Sequence, residues 1–537
     1  MRMLNGIARR AARGLRLGHR PLAVAVLACL LVLAAGLSGA ALRAQDRGFS
    51  ALPALGDAGE LTALDERKLG DLVMRDVYRD PEYMDDAILS EYVDGIWQRL
   101  LAAARERGEM SADVADHFAW TVVLVRDRTI NAFSLPGGYF GLNLGLVATV
   151  SSRDELASVM AHELSHVTQR HIARLIGQQK RQQPLLIAAM VLGALAASQD
   201  PQAGAALATG GQAALIQQQL NFSRSMEREA DRVGYGILTQ AGFAPQGFVS
   251  MFEKLQAASR LSDNGDWPWL RTHPLTTERI ADMQQRQHRL PPRADAAPDV
   301  EALLMAARAR VLASPGVDRL QRWVAEPARS DFDKLAPAQQ AGILYAAALA
   351  AAQLRDADTA AAFAQRLQQR VDDPAGSRQV VLLRAELALR GGQAGQALAL
   401  LSQLPPPAGP PVTGAQAGRA VLFLKARAQL ATGQARPAAS ALQGWLSEHR
   451  ADAAGWQLLA SALDAQGRKV AALRAEGEAQ FARLDYAGAI DRLRAAQDLS
   501  HQPGGAADRI EASIVDVRLN LARERLKQQE RDEKEWD

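Results

Sequence analysis

The sequence contains only one cysteine, Cys29, among its 537 residues, and its net charge is only +3. One cysteine cannot form an internal disulfide, so stability must come from hydrophobic cores, and a chain of this length holds about two to four domains. So small a net charge gives no indication of nucleic-acid binding, and we expect no nucleic-acid partner. Hydrophobic residues make up 48% of the chain and charged residues 23%, which excludes wholesale disorder and a polytopic membrane protein.

The first 44 residues have the layout of a secretory signal peptide. They contain seven arginines and no acidic residue, with an apolar run from Pro21 to Leu37 and then small residues. We expect export and cleavage near Ala40 or Ala44, while an uncleaved membrane anchor is the alternative because the run could be extended to about 20 residues. Removing this segment leaves 55 of the 62 basic residues against 59 acidic residues, so the mild basicity belongs to the targeting segment.

The remaining chain changes composition at Pro291-Pro292. Before this point, residues 118–126 are rich in β-branched and aromatic residues, and residues 131–143 suggest two short strands about a Pro-Gly-Gly turn. After it, Ala, Leu, Gln and Arg dominate and strand-forming residues are few. We therefore predict a mainly α protein, with an α+β domain containing a small β-sheet followed by an all-α region. The predicted segments are a signal peptide at 1–44, an α+β domain at 45–292 and a helical domain at 293–537.

Short turns recur in the C-terminal region at intervals of about 34 to 41 residues. They lie at Arg355, Gly391-Gly392, Gly433 and Gly467, and each precedes alanines at helical spacing. This period resembles tetratricopeptide repeats, which are helix pairs that stack into a solenoid, and a generic alanine-rich helical bundle is the alternative. We expect the charge run at 523–537 to be a solvated, fraying helix end.

The strongest functional signal is the sequence HELSH at residues 162–166. Residues four apart lie on one helix face, so both histidines could bind one metal ion while Glu163 projects towards a bound water. A helix is expected because Ser152 and Glu155 form a capping-box pattern before apolar residues at helical spacing. The alternative is a pair of histidines on a solvated helix face.

The third ligand decides the class of metal site. Positions 169 and 172 are glutamine and isoleucine, which excludes the extended motif that continues to a glycine and a third histidine. His171 is out of phase with the ligand face, so we interpret it as a surface residue or as a support behind a ligand. A later segment offers Glu227 and Asp231, also four apart, so one carboxylate could complete the site while the other orients a ligating histidine. Glu229, between them, faces elsewhere on that helix.

The HELSH motif followed by these two carboxylates resembles the gluzincin peptidases related to the CAAX prenyl protease and HtpX. The resemblance extends to the sequence NAFSLPGGY at 131–139 and to His273-Pro274, although by its local sequence alone His273 is a loop histidine. The resemblance implies a gluzincin-type metalloprotease domain with one Zn²⁺ per chain and these site residues: metal ligands His162, His166 and Glu227, general base and acid Glu163, orienting carboxylate Asp231 and regulatory histidine His273.

Together with the export segment and the repeats, this resemblance implies a periplasmic zinc-dependent endopeptidase. Its expected substrates are unfolded or misassembled polypeptides, by resemblance outer-membrane β-barrel proteins, held through the repeats beside the outer-membrane assembly machinery. Glu163 would take a proton from the attacking water and deliver it to the leaving amine. One alternative is a scaffold or chaperone whose protease site stays plugged by His273.

A third interpretation is an intramembrane prenyl-protein protease, which requires membrane-spanning helices. The two apolar runs between the ligands, at 184–197 and 203–216, are shorter than the roughly 20 residues that span a bilayer. We therefore expect buried or surface-lying helices there, which would still allow peripheral contact with a membrane.

Overall fold

The structure is a computed structural model that describes residues 61–178, 213–261, 269–270, 273–288, 298–405, 418–502 and 509–536. The predicted signal peptide, the boundary at Pro291-Pro292, the apolar run at 184–197 and most of the run at 203–216 lie outside the described residues. The described chain is mainly helical with one small sheet, which confirms the predicted fold class. Within those ranges, no helix combines the length and apolarity needed to cross a membrane.

The described N-terminal region combines nine α-helices with four short strands. Its helices are α1 (Ala63–Arg79), α2 (Ala87–Glu106), α3 (Ala112–His117), α4 (Leu144–Val147), α5 (Arg153–Thr168), α6 (His171–Gln178), α7 (Ala213–Gln240), α8 (Gln246–Leu261) and α9 (Thr277–His288). Its strands are β1 (Tyr83–Met84), β2 (Thr121–Val125), β3 (Ala132–Leu135) and β4 (Tyr139–Asn143).

The described C-terminal region is helical and contains no strand. Its α-helices are α10 (Val300–Leu312), α11 (Val317–Ala325), α12 (Pro337–Gln353), α13 (Ala357–Gln368), α14 (Pro374–Arg390), α15 (Ala394–Leu401), α16 (Arg419–Ala431), α17 (Ala435–Glu448), α18 (Ala453–Asp464), α19 (Lys469–Ala482), α20 (Tyr486–Ser500) and α21 (Arg509–Trp536). Consecutive helices pack against each other along most of this region.

The sheet has the strand order β1-β2-β4-β3. β2 and β4 run parallel, while β1 and β3 are antiparallel to their neighbours at the two edges. The predicted Pro-Gly-Gly turn joins β3 to β4 as a short 3₁₀ turn. Gly137 has φ +73°, and a Cβ there would lie 2.6 Å from Arg67 Cα, so only glycine allows this turn to pack against α1. The edge strand β3 is thereby held against the core.

Helix α5 carries the HELSH motif through the centre of the N-terminal core. Ser152 Oγ accepts a hydrogen bond from Glu155 N, as the sequence predicts, but the Glu155 carboxylate bonds to Ser151 N and Lys254 Nζ, each at 2.6 Å, instead of closing the capping box. α5 packs against α2, α7, α8 and β3. Because His162 is only 1% exposed, the interpretation of the histidines as part of a solvated face is wrong.

The turns predicted from the sequence separate helices of the C-terminal region. Arg355, Gly392, Gly433 and Gly467 all have positive φ, between +64° and +74°. This left-handed conformation ends a helix and reverses the chain, and glycine adopts it without a steric penalty. The helix–turn–helix organisation therefore follows the predicted spacing, while the specific tetratricopeptide assignment stays a prediction.

The two regions share one hydrophobic core, which continues from α1 to α16. A buried arginine joins them as well: Arg308 on α10 donates two hydrogen bonds to Asp86, at 2.7 and 2.6 Å, and one to Glu386, at 2.8 Å. Asp86 is the N-cap of α2, and Glu386 lies on α14. The helical region is therefore packed directly onto the region that contains the HELSH motif.

The expectation of a fraying helix end after residue 523 is wrong, whereas most side chains described in that run are exposed, as expected. Helix α21 continues to Trp536, and Asp532 on it is only 7% exposed. Gln529 Nε2 donates to the carbonyl oxygen of Leu484 at 3.3 Å, and Glu533 forms an ion pair with Arg75 on α1. Gln529 and Asp532 are buried within an otherwise largely exposed run, and the last turns of the helix pack against α1, the first described helix of the chain.

Candidate metal centre

Three separate segments bring a group of metal-binding side chains together. α5 supplies His162 and His166, α7 supplies Glu227, and His273 lies shortly before α9. One ligand atom from each of these four residues lies within 4.8 Å of the others. Two of the four are separated from the HELSH motif by more than 60 residues of sequence, so tertiary packing creates the site.

The spacing of three of these side chains fits a tetrahedral metal ion. His162 Nε2 lies 3.1 Å from His166 Nε2 and 3.2 Å from Glu227 Oε2, and His166 Nε2 lies 3.4 Å from Glu227 Oε1. Zinc bonds of about 2.0–2.1 Å at tetrahedral angles set ligand atoms about 3.3 Å apart. Two imidazoles and one carboxylate are also the ligand types that zinc prefers, so both the chemistry and the geometry of the donor set fit this ion.

Asp231 supports the other side of the His162 ring. Its Oδ1 lies 2.9 Å from His162 Nδ1, which leaves Nε2 directed at Glu227 and His166. Burial lowers the pKa of His162, but hydrogen bonds to Asp231 and Glu227 outweigh burial and raise it to about 9. The metal-free site therefore holds a proton on His162, and a metal ion must displace it.

Arg279 neutralises both buried carboxylates. It donates two hydrogen bonds to Asp231, at 2.6 and 2.8 Å, and its Nη1 lies 2.9 Å from Glu227 Oε2. Burial would raise the pKa of both carboxyl groups, but the positive charges around them hold the pKa of each below its usual range. For Glu227 the lowering of the pKa comes from its contacts with His273 and Arg279. Both carboxylates therefore remain ionised.

Three neighbours hold Glu163 beside the ligands. Trp269 Nε1 donates to its Oε1 at 3.0 Å, Ser134 Oγ donates to its Oε2 at 2.9 Å, and His273 Nε2 lies 3.2 Å from its Oε1. Glu163 is 1% exposed. Ser134 belongs to the edge strand β3, so the carboxylate lies between the ligand group and the edge of the sheet.

His273 covers the remaining side of the ligand group. Its Nδ1 lies 3.0 Å from Glu227 Oε1 and 3.3 Å from His162 Nε2, while its ring stacks on Trp269 with centroids 4.9 Å apart. The imidazole thus stands between Glu227 and Glu163, where an attacking water and a scissile carbonyl would have to lie. The structure therefore places His273 against two of the predicted ligands and against Glu163.

Three residues of this site are not marked by any sequence pattern: Arg279, Trp269 and Ser134. Two buried carboxylates predict a nearby cation, but with so many arginines in the chain no local pattern singles out Arg279. Ser134 lies within the predicted strand-and-turn segment at 131–143, but no pattern there assigns a role to its hydroxyl group. Trp269 is far from Glu163 in the sequence, and only the tertiary fold brings the two side chains into contact.

Comparison with known proteins identifies relatives of this chain. The sequence profile of Peptidase family M48 matches residues 96–287. The chain is 31% identical over 441 residues to the beta-barrel assembly-enhancing protease of Escherichia coli (strain K12), covering 81% of this chain and 85% of that protein. It is 40% identical over 270 residues to a relative from Vibrio cholerae, covering 50% of this chain and 53% of that protein. It is 28% identical over 203 residues to the mitochondrial metalloendopeptidase OMA1 of Saccharomyces cerevisiae, covering 37% of this chain and 55% of that protein.

Proposed function

This chain belongs to peptidase family M48, and from that premise we propose that it is a periplasmic zinc-dependent endopeptidase acting on misfolded or misassembled outer-membrane proteins. The family makes it a metallopeptidase with polypeptide substrates. The observation that carries the proposal is the separation of 3.1–3.4 Å among the ligand atoms of His162, His166 and Glu227, which matches a tetrahedral zinc site.

In this proposal the three ligands hold one Zn²⁺ ion, whose chemical contribution when bound is Lewis acidity towards a scissile carbonyl and an attacking water. Glu163 takes the proton of that water and delivers it to the leaving amine. Trp269 and Ser134 each donate a hydrogen bond to one oxygen of the Glu163 carboxylate, which fixes its orientation. Asp231 fixes the ring of His162, and Arg279 fixes Asp231.

The position of the edge strand β3 favours an extended, unfolded polypeptide as the substrate. β3 pairs with β4 along one side, and its Ser134 contacts the catalytic carboxylate. A substrate that adds a strand beside β3 would pass directly in front of Glu163, and main-chain pairing of this kind is sequence-tolerant. This favours exposed or unfolded polypeptide over folded protein surfaces.

A Glu163→Gln variant tests the peptidase role. The amide cannot accept the water's proton, so the purified variant should retain one zinc per chain and lose casein cleavage by at least about 100-fold. Glu106→Gln, an exposed change at the end of α2, is the matched control and should cleave like the wild type. Retained cleavage in Glu163→Gln would contradict the role of this residue, and a wild type without zinc would contradict the metal site.

The placement of His273 favours a second candidate, a scaffold or chaperone whose protease site is kept plugged. The imidazole is within 3.3 Å of two proposed ligands and of Glu163, so substrate cannot reach them until it moves. A His273→Ala variant should cleave casein faster than the wild type if the histidine limits access. Complementation of a deletion strain by Glu163→Gln would favour the scaffold, and failure to complement would favour the protease.

The cellular setting comes from the relatives and the N-terminal segment. The E. coli relative, named for beta-barrel assembly, is matched over 85% of its length, helical region included. The helical repeats would therefore hold clients, beside the outer-membrane assembly machinery, while the peptidase region cleaves them. Sequencing of the mature N-terminus in a periplasmic fraction should find a start near residue 41 or 45; an uncleaved, membrane-bound chain would favour the anchor.

A further inference from the structure

The ring of His166 is supported by a different kind of side chain from the carboxylate that supports His162. Its Nδ1 lies 2.8 Å from Nδ1 of His171, whose Nε2 in turn lies 3.1 Å from Glu229 Oε2. Arg174 Nη1 donates to the same Glu229 oxygen at 2.7 Å. His171 is only 2% exposed, so water does not substitute for either of its contacts.

A local turn directs His171 at its neighbour. Arg170, between α5 and α6, has φ +52°, a conformation that is uncommon for a residue with a side chain. Its guanidinium is anchored on Glu66 at 2.6 Å and on the carbonyl oxygen of Leu61 at 2.7 Å. The turn starts α6 at His171 and folds it back beneath His166, which a continued α5 helix would not do.

The hydrogen-bond directions in this chain of contacts follow from metal binding. A ligating Nε2 must offer its lone pair, so the proton of neutral His166 is on Nδ1 and is donated to His171 Nδ1. His171 must then carry its own proton on Nε2, where it donates to the Glu229 carboxylate.

We propose that His171 and Glu229 form a positioning relay that fixes the tautomer and ring orientation of His166 for metal binding. The relay rests on the proposed function, because His166 must be a ligand. It is the counterpart of the Asp231–Arg279 pair behind His162, but it uses a neutral imidazole as the first partner. Each ligating histidine is thus held from the side opposite the metal, and His171 itself contacts neither metal nor substrate.

The test measures zinc affinity by competition with a chelator, so it does not depend on activity. His171→Ala removes the acceptor for His166 Nδ1 and should weaken zinc binding about 10- to 100-fold. His171→Asn is the rescue variant, because its Oδ1 can accept the same proton, and it should stay within about threefold of the wild type. Glu229→Ala, at a partly exposed position, should weaken binding less than His171→Ala. His117→Ala is the matched control on α3.

The outcomes separate the relay from the function on which it rests. Weak binding by His171→Ala with rescue by His171→Asn supports the relay, and Glu229→Ala provides the test if His171→Ala does not fold. A zinc-binding wild type whose His171 variants both bind as tightly, or both bind equally weakly, overturns the relay alone. If His171→Ala does not fold, unchanged binding by Glu229→Ala overturns it. A wild type that binds no zinc overturns both proposals.

Discussion

Replacing Arg279 by methionine should strongly destabilise the site without changing its volume much. The change removes the bidentate hydrogen bonds to Asp231, at 2.6 and 2.8 Å, and the contact at 2.9 Å with Glu227. The three side chains are only 2–3% exposed, so water cannot replace the lost charge. Two buried carboxylates would then be left without their common counter-ion.

The magnitude follows from that burial. Removing one partner of a buried ion pair costs about 3–5 kcal/mol of unfolding free energy, because the other charge stays buried. Because the two regions share one core, the cooperative unit is about 400 residues or more, and each kcal/mol then lowers its melting temperature by about 1 °C. The metal-free variant should therefore melt roughly 3–6 °C below the wild type. The loss should be smaller with zinc bound, because the metal ion compensates the charge of Glu227.

Differential scanning calorimetry of the metal-free and zinc-loaded proteins measures this effect. Arg286→Met is the matched control on the same helix, α9, since Arg286 pairs with Asp282 at 2.9 Å at the surface. Such an exposed pair contributes about 0–1 kcal/mol, so the control should melt near the wild type. If Arg279→Met melted no lower than Arg286→Met, the role of Arg279 as the shared counter-ion would be refuted.

Two further predictions concern proton binding and the junction of the two regions. The raised pKa of His162, about 9 against 6.5, means that the metal-free folded state binds a proton more tightly than the unfolded chain. Its melting temperature should therefore fall as pH rises from about 6.5 to about 9, a loss that His162→Gln should abolish; an equal fall in that variant would contradict the assignment. Arg308→Met should cost about 3–5 kcal/mol in urea denaturation, because it leaves the Asp86 carboxylate without its arginine at a buried junction and leaves Glu386 paired only with Arg390. One shared transition is expected, and two separated transitions would contradict a continuous core.

Local patterns predicted the secondary structure around the site well. The i,i+4 spacing of the HELSH histidines, the β-rich run at 118–126 and the Pro-Gly-Gly turn each depend on contacts within a few residues. Such contacts are set by helix and strand periodicity, which a sequence displays directly. The predicted capping box forms only in part, because the Glu155 carboxylate pairs with Lys254 from α8, a contact that depends on the tertiary fold.

Long-range packing decided what no local pattern could show. Nothing near residue 279 marks this arginine as the counter-ion of two carboxylates, and nothing near residue 229 marks Glu229 as the partner of His171. The charge run at 523–537 resembles a solvated end until α1 is placed beside it.

By itself, then, the sequence determined the chemistry: two histidines and a glutamate on one helix, with two carboxylates one helical turn apart elsewhere. The tertiary structure decided how those groups are charged, held and covered, because burial and distance set which charges need a partner. It placed Arg279 against both carboxylates, His171 behind His166 and His273 over the ligands.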